Sequence, residues 1–224
     1  IKGLGEGPID SIVEARREGG PFRDMFDFCA RVDIRRVNKR AIEALIRAGA
    51  LDNLGPGRAR MMASIDKAIQ QAGQISRNAD AGMTDLFGED LVSAGEEDPF
   101  VDVAHMREWS DKQRLQAEKE TLGLYLTGHP FDAYEQEVRR FVANTIADLK
   151  PGKGTQRIAG LLVAVRTMKN RRGQPMAFVT LDDRSARMEV TLFSEAFIEN
   201  RDLLQQDKVL IMEGRVSHDD YSGS

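Results

Sequence analysis

The chain is poor in the residues that build covalent and metal-linked structure. Its 224 residues include a single cysteine, Cys29, so an internal disulfide is excluded. A lone thiol in an apolar stretch is typical of a buried structural cysteine in a reducing compartment. The three histidines are far apart in the sequence and have no cysteine partners, which argues against zinc. The lone thiol fits a reducing cytoplasm, so we expect a cytoplasmic protein. No apolar run reaches membrane-spanning length, and we expect no membrane partner.

Aromatic residues are also scarce, at 6% of the chain. Phe178 and Phe193 alternate with apolar neighbours, and we expect both rings in a core rather than on a surface that stacks bases. Asp182 and Asp183 are adjacent within a strand pattern and therefore point to opposite faces. A turn role is expected for them, and no metal pair.

Charge is present in patches of opposite sign, although the formal net charge is only −4. Residues 31–47 carry six Lys or Arg against two acids, and residues 150–187 carry nine against two. Residues 80–120 reverse this, with twelve acids against four bases. Because local patches attract phosphate whatever the total charge, the acidic average does not exclude nucleic acid.

The apolar spacing predicts helices in the first part of the chain and strands in the second. The expected helices are one through Ile12 to Gly19, and others over 22–30, 38–48, 58–71, 107–121 and 131–141. Pro151 to Gly154 predicts a domain boundary. Beyond it we expect strands over 157–167, 176–181, 188–193 and 208–216, with a helix over 194–205. Three strands, a helix and a strand match an OB-fold whose fifth, closing strand is missing.

Leu86 and Phe87 stand in a polar stretch without helical or strand periodicity. Such a stretch cannot bury a face of its own, so we expect a flexible loop. An apolar pair in a loop is stabilised by entering a pocket on another molecule.

Two groups of residues are candidates for DNA contact. Gly3-Leu4-Gly5, opening a helix, is similar to a helix-hairpin-helix turn, whose free N–H groups face a phosphate oxygen. By itself Gly-x-Gly equally fits a simple interhelical turn; nearby bases favour DNA. The second group lies in the first strand and its turn, where an OB-fold commonly contacts a single strand. The candidate DNA-binding residues are Lys2, Gly3, Leu4, Gly5, Arg35, Arg36, Lys39 and Arg40, with Arg166, Lys169, Arg171 and Arg172 in the second group.

Long strings in the chain resemble a known family. They are IKGLGE at 1–6, LIRAGALD at 45–52, KETLGLYLTGHP at 119–130 and LDDRS at 181–185, with Glu189-Val190 and Leu192-Phe193. They resemble the C-terminal half of the alpha subunits of bacterial DNA polymerase III, the family C replicative polymerases. The resemblance covers essentially the whole chain.

The resemblance implies an α+β multidomain protein in which an all-helical helix-hairpin-helix domain is followed by a truncated OB-fold β-barrel. The expected parts are 1–77, binding duplex DNA; 78–104, a flexible acidic loop with a sliding-clamp motif; 105–150, the helical remainder of the clamp-binding domain; and 155–224, an OB domain on the single-stranded template, lacking its last strand. The clamp motif would be Met83, Thr84, Asp85, Leu86 and Phe87. Met83 replaces the family's glutamine, which predicts weaker clamp binding.

The family's catalytic carboxylates lie in a palm domain upstream of Ile1, and Mg²⁺ would be bound there. We therefore expect no catalytic residue, cofactor or metal in this segment, although its parent would be a DNA-directed DNA polymerase. Its partners would be DNA, a sliding clamp and other replicase subunits. Two alternatives are a fragment of an NAD-dependent DNA ligase and a generic nucleic-acid adaptor. Ligases usually order these modules the other way round and add a cysteine zinc finger, absent here.

Overall fold

The computed structural model describes residues 1–80 and 98–217. It divides into two compact units, Ile1–Thr127 and Gly128–Ser224. The division lies ahead of the boundary expected at Pro151 to Gly154, because residues 128–150 pack on the strands that follow them. Within the described ranges, no helix combines the length and the apolar character needed to cross a bilayer.

Unit 1 is helical, as predicted. Its helices are α1 (Glu6–Gly19), α2 (Met25–Arg31), α3 (Lys39–Arg47), α4 (Arg58–Asp80) and α5 (Asp111–Leu122). Three of them begin at a residue whose side chain accepts from the first-turn N–H groups. Asp24 caps α2, and Asn38 caps α3, at the start of the helix predicted over 38–48. Ser110 caps α5 in a reciprocal pair with Gln113, which explains why this almost wholly polar segment is helical.

The core of unit 1 is formed where α2, α3 and α4 meet. Its largest fully buried side chains are Phe28, Met25, Ile42, Ile46, Met61 and Ile65. Cys29 is 1% exposed, so the predicted burial of its thiol is confirmed. Phe100 packs edge-on against Phe26, with ring centroids 5.3 Å apart. Phe100, within the predicted acidic loop, thus belongs to this core.

The predicted loop over 78–104 differs from the structure at both ends. The fourth helix continues to Asp80, because residues 72–80 contain no proline and Ala72 is buried. At the other end Phe100 is 4% exposed, and a 3₁₀ turn follows over Val101–Val103. The proposed clamp motif, Met83 to Phe87, lies outside the described residues.

A buried ion pair connects α4 and α5 of unit 1. The Glu118 carboxylate is fully buried and accepts from Arg58 Nη1 at 3.0 Å. It also accepts from the backbone N–H groups of Leu126 and Thr127 and from the Thr127 hydroxyl. Arg58 makes two further bonds, of 2.7 Å each, to the carboxylate of Asp52. Four donors around one carboxylate therefore fix the turn after α5.

Unit 2 contains an antiparallel sheet of four strands in the described residues, in the order β3-β2-β1-β4. The strands are β1 (Thr155–Lys169), β2 (Pro175–Asp182), β3 (Arg187–Leu192) and β4 (Val209–Arg215). The helices are α6 (Glu135–Val138) and α7 (Ser194–Asn200), the latter between β3 and β4. This confirms the predicted α+β class, a helical region followed by the strand order of a truncated OB-fold.

The sheet has an inner face that forms the core of unit 2 and an outer face that is covered at one end only. Ile158, Leu162, Val179 and Leu181 are among the buried residues of the inner face. At the covered end of the outer face, Phe131, Val138 and Val142 pack against Ala159. A register shift in β1 between Leu162 and Ala164 marks the change from the covered to the open end.

In unit 2, residues at the end of the KETLGLYLTGHP string contact residues of the LDDRS string. His129 Nδ1 accepts from Phe131 N–H, which caps the 3₁₀ turn Pro130–Ala133, and His129 Nε2 lies 3.5 Å from Asp182 Oδ1. Asp132 pairs with Arg184 at 2.8 Å. His129 therefore caps this turn, and the contacts of His129 and Asp132 attach the turn to the end of β2 and the residues that follow it.

Asp182 and Asp183 shape the turn from β2 to β3, as the sequence predicted. Burial raises the pKa of Asp182, but hydrogen bonds from Arg187 and from the Arg184 N–H outweigh it, so the pKa is lowered overall. Asp183 Oδ1 accepts from the Ser185 N–H and hydroxyl and from the Ala186 N–H, while Oδ2 accepts from the N–H of Ile146 at 2.7 Å. Every carboxylate oxygen of this pair has a partner.

Candidate nucleic-acid interface

The Gly-x-Gly turn of unit 1 lies directly before α1. Gly3 has φ +82°, a conformation that L side chains rarely adopt, so the turn favours glycine there. Lys2 N–H donates to the Thr121 carbonyl at 2.8 Å, which fixes the turn against the end of α5. Gly5 begins the helix without a side chain to accept its first N–H groups, which leaves them for water or a phosphate oxygen. Glu6 in the first turn opposes an anion electrostatically.

The second basic group of unit 1 lies on the connection from α2 to α3. A hydrogen bond of 2.9 Å from Asp33 N–H to the Ser11 hydroxyl attaches this connection to α1. Arg35 and Arg36 are exposed, and each is 3.7 Å from the Asp33 carboxylate. These two guanidinium groups therefore remain accessible to phosphate, and their ion pairs with Asp33 are long.

Lys39 and Arg40 follow at the start of α3 and differ from each other. Lys39 Nζ is 2.7 Å from Asp66, and this hydrogen bond raises the pKa of the lysine. Arg40 is exposed. In the described part of unit 1, no hydrogen bond or ion pair joins residues 2–5 to these cations, and the Asp33–Ser11 bond attaches the second group to α1.

In unit 2 the basic turn between β1 and β2 is an ordered hairpin. Asn170 Oδ1 accepts from the N–H groups of Arg172 and Gln174 at 2.9 and 3.0 Å, and Asn170 N–H donates to the Gln174 carbonyl at 2.8 Å. Lys169, Arg171 and Arg172 are exposed, and no acid in residues 98–217 lies within ion-pair distance of them. Three unpaired cations on one rigid turn form a site suited to phosphates.

Arg166 belongs to a different surface from the hairpin cations. It lies in β1 on the open end of the outer face, with its guanidinium 4.8 Å from the centroid of the Phe178 ring. Its Nη2 atom is 3.7 Å from Glu189 on β3. The arginine is therefore held by stacking and by a long ion pair, both on the outer face of the sheet.

The expectation that Phe178 and Phe193 are core residues is wrong. Phe178 is half-buried on the outer face, beneath Arg166, and Phe193 is 70% exposed. Strand alternation contained the signal: Val190 and Leu192 pack in the core, which directs Phe193 outward together with the polar residues of β3.

No site for a metal ion emerges in residues 1–80 and 98–217, where no group of three or more His, Cys, Asp or Glu could hold one. The basic hairpin of unit 2 offers cations, and the open end of the outer face offers the rings of Phe178 and Phe193. Both suit nucleic acid.

Comparisons with known proteins agree with the architecture. A model of the helix-hairpin-helix motif matches residues 1–61, and a model of the OB-fold nucleic acid binding domain matches residues 156–223. The first range includes the Gly3 turn and the Arg35–Arg40 cations, and the second includes the basic hairpin. Nucleic-acid binding is thus supported for both units.

Relatives cover the chain from end to end. It is 52% identical to the DNA polymerase III subunit alpha of Pseudomonas aeruginosa, 50% to that of Pseudomonas fluorescens and 48% to that of Vibrio cholerae, in each case over 100% of this chain. The chain spans 19–20% of the length of these curated relatives. A solved structure of RecG bound to a three-way DNA junction matches 94% of this chain and 28% of its own chain, at 17% identity and a TM-score of 0.32. The resemblance to bacterial DNA polymerase III alpha subunits is confirmed for this segment.

Proposed function

We propose that this chain, which matches one fifth of a DNA polymerase III alpha subunit, is the segment of such a subunit that holds DNA and the sliding clamp without itself catalysing nucleotide addition. In this proposal unit 1 contacts duplex DNA and unit 2 contacts the single-stranded template. The parent protein is a DNA-directed DNA polymerase that acts in the cytoplasm with other replicase subunits. The relatives favour this function over a DNA ligase fragment.

The observation that carries the proposal is the ordered basic hairpin of unit 2. Lys169, Arg171 and Arg172 have no acidic partner in residues 98–217, and hydrogen bonds to Asn170 hold the backbone between them. Cations without intramolecular partners lose no ion pair when they bind a phosphate. Binding should therefore depend steeply on salt, because each phosphate that is neutralised releases counterions.

The test is the affinity of the chain for fluorescein-labelled oligodeoxythymidine, followed by anisotropy at a series of salt concentrations. The double variant Arg171→Gln/Arg172→Gln should lower the slope of log K against log salt by about 1.4, at about 0.7 per cation for single strands. Arg157→Gln is the matched control, because Arg157 lies on β1 but pairs with Glu213 at 2.7 Å. An unchanged slope in the double variant would contradict single-strand binding by the hairpin.

Duplex binding by unit 1 is supported by the Gly3 turn and by the exposed guanidinium groups of Arg35, Arg36 and Arg40. Arg35→Gln/Arg36→Gln should weaken binding of a DNA duplex without changing the affinity for oligodeoxythymidine. Glu14→Gln, an exposed change on α1 that removes no cation, is the control. Equal losses of affinity for the duplex and for the single strand would refute the assignment of duplex binding to unit 1 and single-strand binding to unit 2.

Clamp tethering is supported by the sequence motif from Met83 to Phe87 alone. A tether makes the next encounter with DNA effectively intramolecular, so a modest affinity is sufficient for processive synthesis. Leu86→Ala/Phe87→Ala should abolish binding to an immobilised sliding clamp in surface plasmon resonance. Leu91→Ala/Val92→Ala, a second apolar pair of the same stretch, should bind as the unaltered chain does. Retained binding by the first variant would eliminate the clamp proposal and leave the DNA proposal intact.

A further inference from the structure

A groove in unit 1 contains none of the candidate DNA-binding residues. It lies between α3, α4 and α5 and has a volume of about 550 Å³, within the range of about 300–1,000 Å³ that ligand pockets in proteins occupy. Side chains from all three helices line it, together with Trp109, the residue before the Ser110 cap of α5.

We propose that this groove binds an unpaired nucleotide of DNA, with the base against the Trp109 indole and the base edge and phosphate against polar side chains of α3 and α5. The site rests on the proposed duplex binding by unit 1 and deepens it, because it adds an unpaired base to the DNA that this unit holds.

The apolar part of the groove suits a flat ligand. Trp109 and Met62 are both half-buried, and Met62 packs against the core of unit 1. The Glu108 carboxylate accepts from the Trp109 N–H at 2.8 Å and from the Ala59 N–H at 2.9 Å, which attaches the backbone of Trp109 to the start of α4. An indole that is already positioned at an open groove is a platform on which a base stacks.

Two amides of α5 line the groove and have hydrogen-bonding groups to spare. Gln113 Oε1 accepts from the Ser110 N–H and hydroxyl at 2.9 and 3.0 Å, and its NH₂ group has no acceptor in the described part of the chain. Gln116 Nε2 donates to Glu120 at 2.8 Å, which leaves the amide oxygen of Gln116 as an acceptor. A base edge carries donors and acceptors side by side, so a free donor and a free acceptor one helical turn apart suit it.

The charged residues of the groove also suit a nucleotide. Lys112 is exposed, and among residues 1–80 and 98–217 no acid lies within ion-pair distance of it, so it is available to a phosphate. Arg47 pairs with Glu120, but its Nε atom is buried and has no acceptor within the described ranges. Because buried donors in native proteins nearly always have partners, this atom indicates an acceptor that these residues do not supply. The Glu43 carboxylate is suited to the amino group of a base.

The groove lies close to both groups of DNA-binding candidates in unit 1. Arg40 and Arg47 are seven residues apart and therefore share one face of α3. Glu120, which pairs with Arg47, lies at the end of α5. A hydrogen bond from Gln116 and the charges of Arg47 and Lys2 hold the pKa of this carboxyl below its ordinary value, so Lys2 is near the same end of the groove. DNA that contacts both Lys2 and Arg40 therefore reaches the groove, which favours a nucleotide over a peptide.

The experiment uses the whole chain and two DNA duplexes that differ by one bulged adenosine. Anisotropy of fluorescein-labelled duplexes gives the affinities, and fluorescence of Trp109, the single tryptophan, reports on the groove when unlabelled duplexes are added. The bulged duplex should bind about tenfold more tightly than the paired duplex, as expected for one stacked base, and should quench Trp109. The paired duplex should leave the fluorescence of Trp109 unchanged.

Two variants test the lining residues, and a third is the control. Trp109→Ala should remove the tenfold preference and keep the affinity for the paired duplex. Lys112→Gln changes an exposed residue, so it tests the groove even if Trp109→Ala does not fold; it should lower the slope of log K against log salt by about 0.9 for the bulged duplex only. Lys119→Gln should keep both the preference and the quenching, because Lys119 lies on the same helix but stacks on Tyr125 at 5.0 Å.

The outcomes separate this site from the duplex function. Equal affinities for the two duplexes with unchanged Trp109 fluorescence would refute the nucleotide site and leave duplex binding intact; the groove would then belong to a protein contact. Quenching by free deoxyadenosine monophosphate at the concentration of the bulged duplex would overturn the assignment to DNA in favour of a free nucleotide. If the unaltered chain fails to bind the paired duplex, the duplex function itself is refuted.

Discussion

Replacing Glu118 by glutamine tests how much of unit 1 depends on one buried charge. The carboxylate is fully buried on α5 and receives four donors, from Arg58, the Leu126 and Thr127 N–H groups, and the Thr127 hydroxyl. A glutamine amide accepts at one oxygen only. If that oxygen keeps the two backbone donors, the amide NH₂ faces the guanidinium of Arg58, and the charge-assisted bond is lost.

The expected loss of stability follows from the one charge-assisted hydrogen bond between Arg58 and Glu118. Hydrogen bonds to charged groups contribute about 1.5–3 kcal/mol, so Glu118→Gln should lower the free energy of unfolding of unit 1 by about 2–3 kcal/mol. Arg58 keeps its two bonds to Asp52, so its own charge is not left unpaired. Glu118→Ala removes all four acceptor contacts and should cost about 3–5 kcal/mol.

The assay is urea denaturation followed by fluorescence of Trp109, the only tryptophan, which lies in unit 1. Glu120→Gln is the matched control, because Glu120 is two residues along the same helix and is 49% exposed, and it should cost far less. Equal destabilisation by the two variants would refute the importance of the buried pair.

The same carboxylate predicts a pH dependence. Burial raises the pKa of Glu118, but the hydrogen bonds from Thr127, Leu126 and Arg58 outweigh it and hold the pKa below its ordinary value of 4.5. A depressed pKa in the folded state contributes stability above the unfolded pKa, and this contribution is lost as the pH falls through the folded value. The stability difference between the unaltered chain and Glu118→Gln should therefore be full near neutral pH and shrink below about pH 4. A difference that grows on acidification would contradict the sign of the shift.

Three further predictions concern both units. Burial raises the pKa of the Cys29 thiol to about 12, so Ellman's reagent should label it only after unfolding; rapid labelling of the native chain would contradict its burial. An added Cβ at Gly160 would lie 3.0 Å from the Leu181 side chain and 3.1 Å from a backbone nitrogen, so Gly160→Ala should cost about 1–3 kcal/mol in thermal unfolding followed by circular dichroism. Gly214→Ala in β4 meets no atom within 4 Å and should escape that packing cost. His129→Ala removes the cap on Phe131 N–H and should cost about 0.5–2 kcal/mol, with faster hydrogen exchange at that amide; unchanged exchange would refute the cap.

Most secondary structure was predictable, because its signals are local. The apolar spacing predicted a helix from residue 38, and the period-two pattern after Gly154 predicted four strands in their observed order. The fourth helix is longer than its predicted range of 58–71, since no proline marks its end and it continues to Asp80. The boundary between the units was placed too late, because Phe131 and Val142 give no sequence sign that they pack on a strand that follows them.

The candidate nucleic-acid interface was also predictable from the sequence only in part. The cations of the hairpin were predictable, because three bases in a Gly-containing turn between two strands have no way to be buried. The outward position of Phe193 was predictable in principle from the alternation of β3 but not from its hydrophobicity. That Arg166 stacks on Phe178 depends on the register of β1 against β2, which the sequence leaves open.

Local chemistry in the sequence was sufficient for the helices, the strands, the basic turn and the resemblance to a polymerase subunit, since each depends on residues that are neighbours in the chain. The tertiary structure alone decided that Glu118 is buried, and strand pairing decided which face of the sheet the alternating residues of β3 occupy. Glu118 stands in a polar helix yet is fully buried, and Phe193 stands among apolar neighbours yet is open to solvent. Both outcomes follow from partners distant in sequence: Arg58 is sixty residues from Glu118, and strand pairing between β2 and β3 determines which face Phe193 occupies.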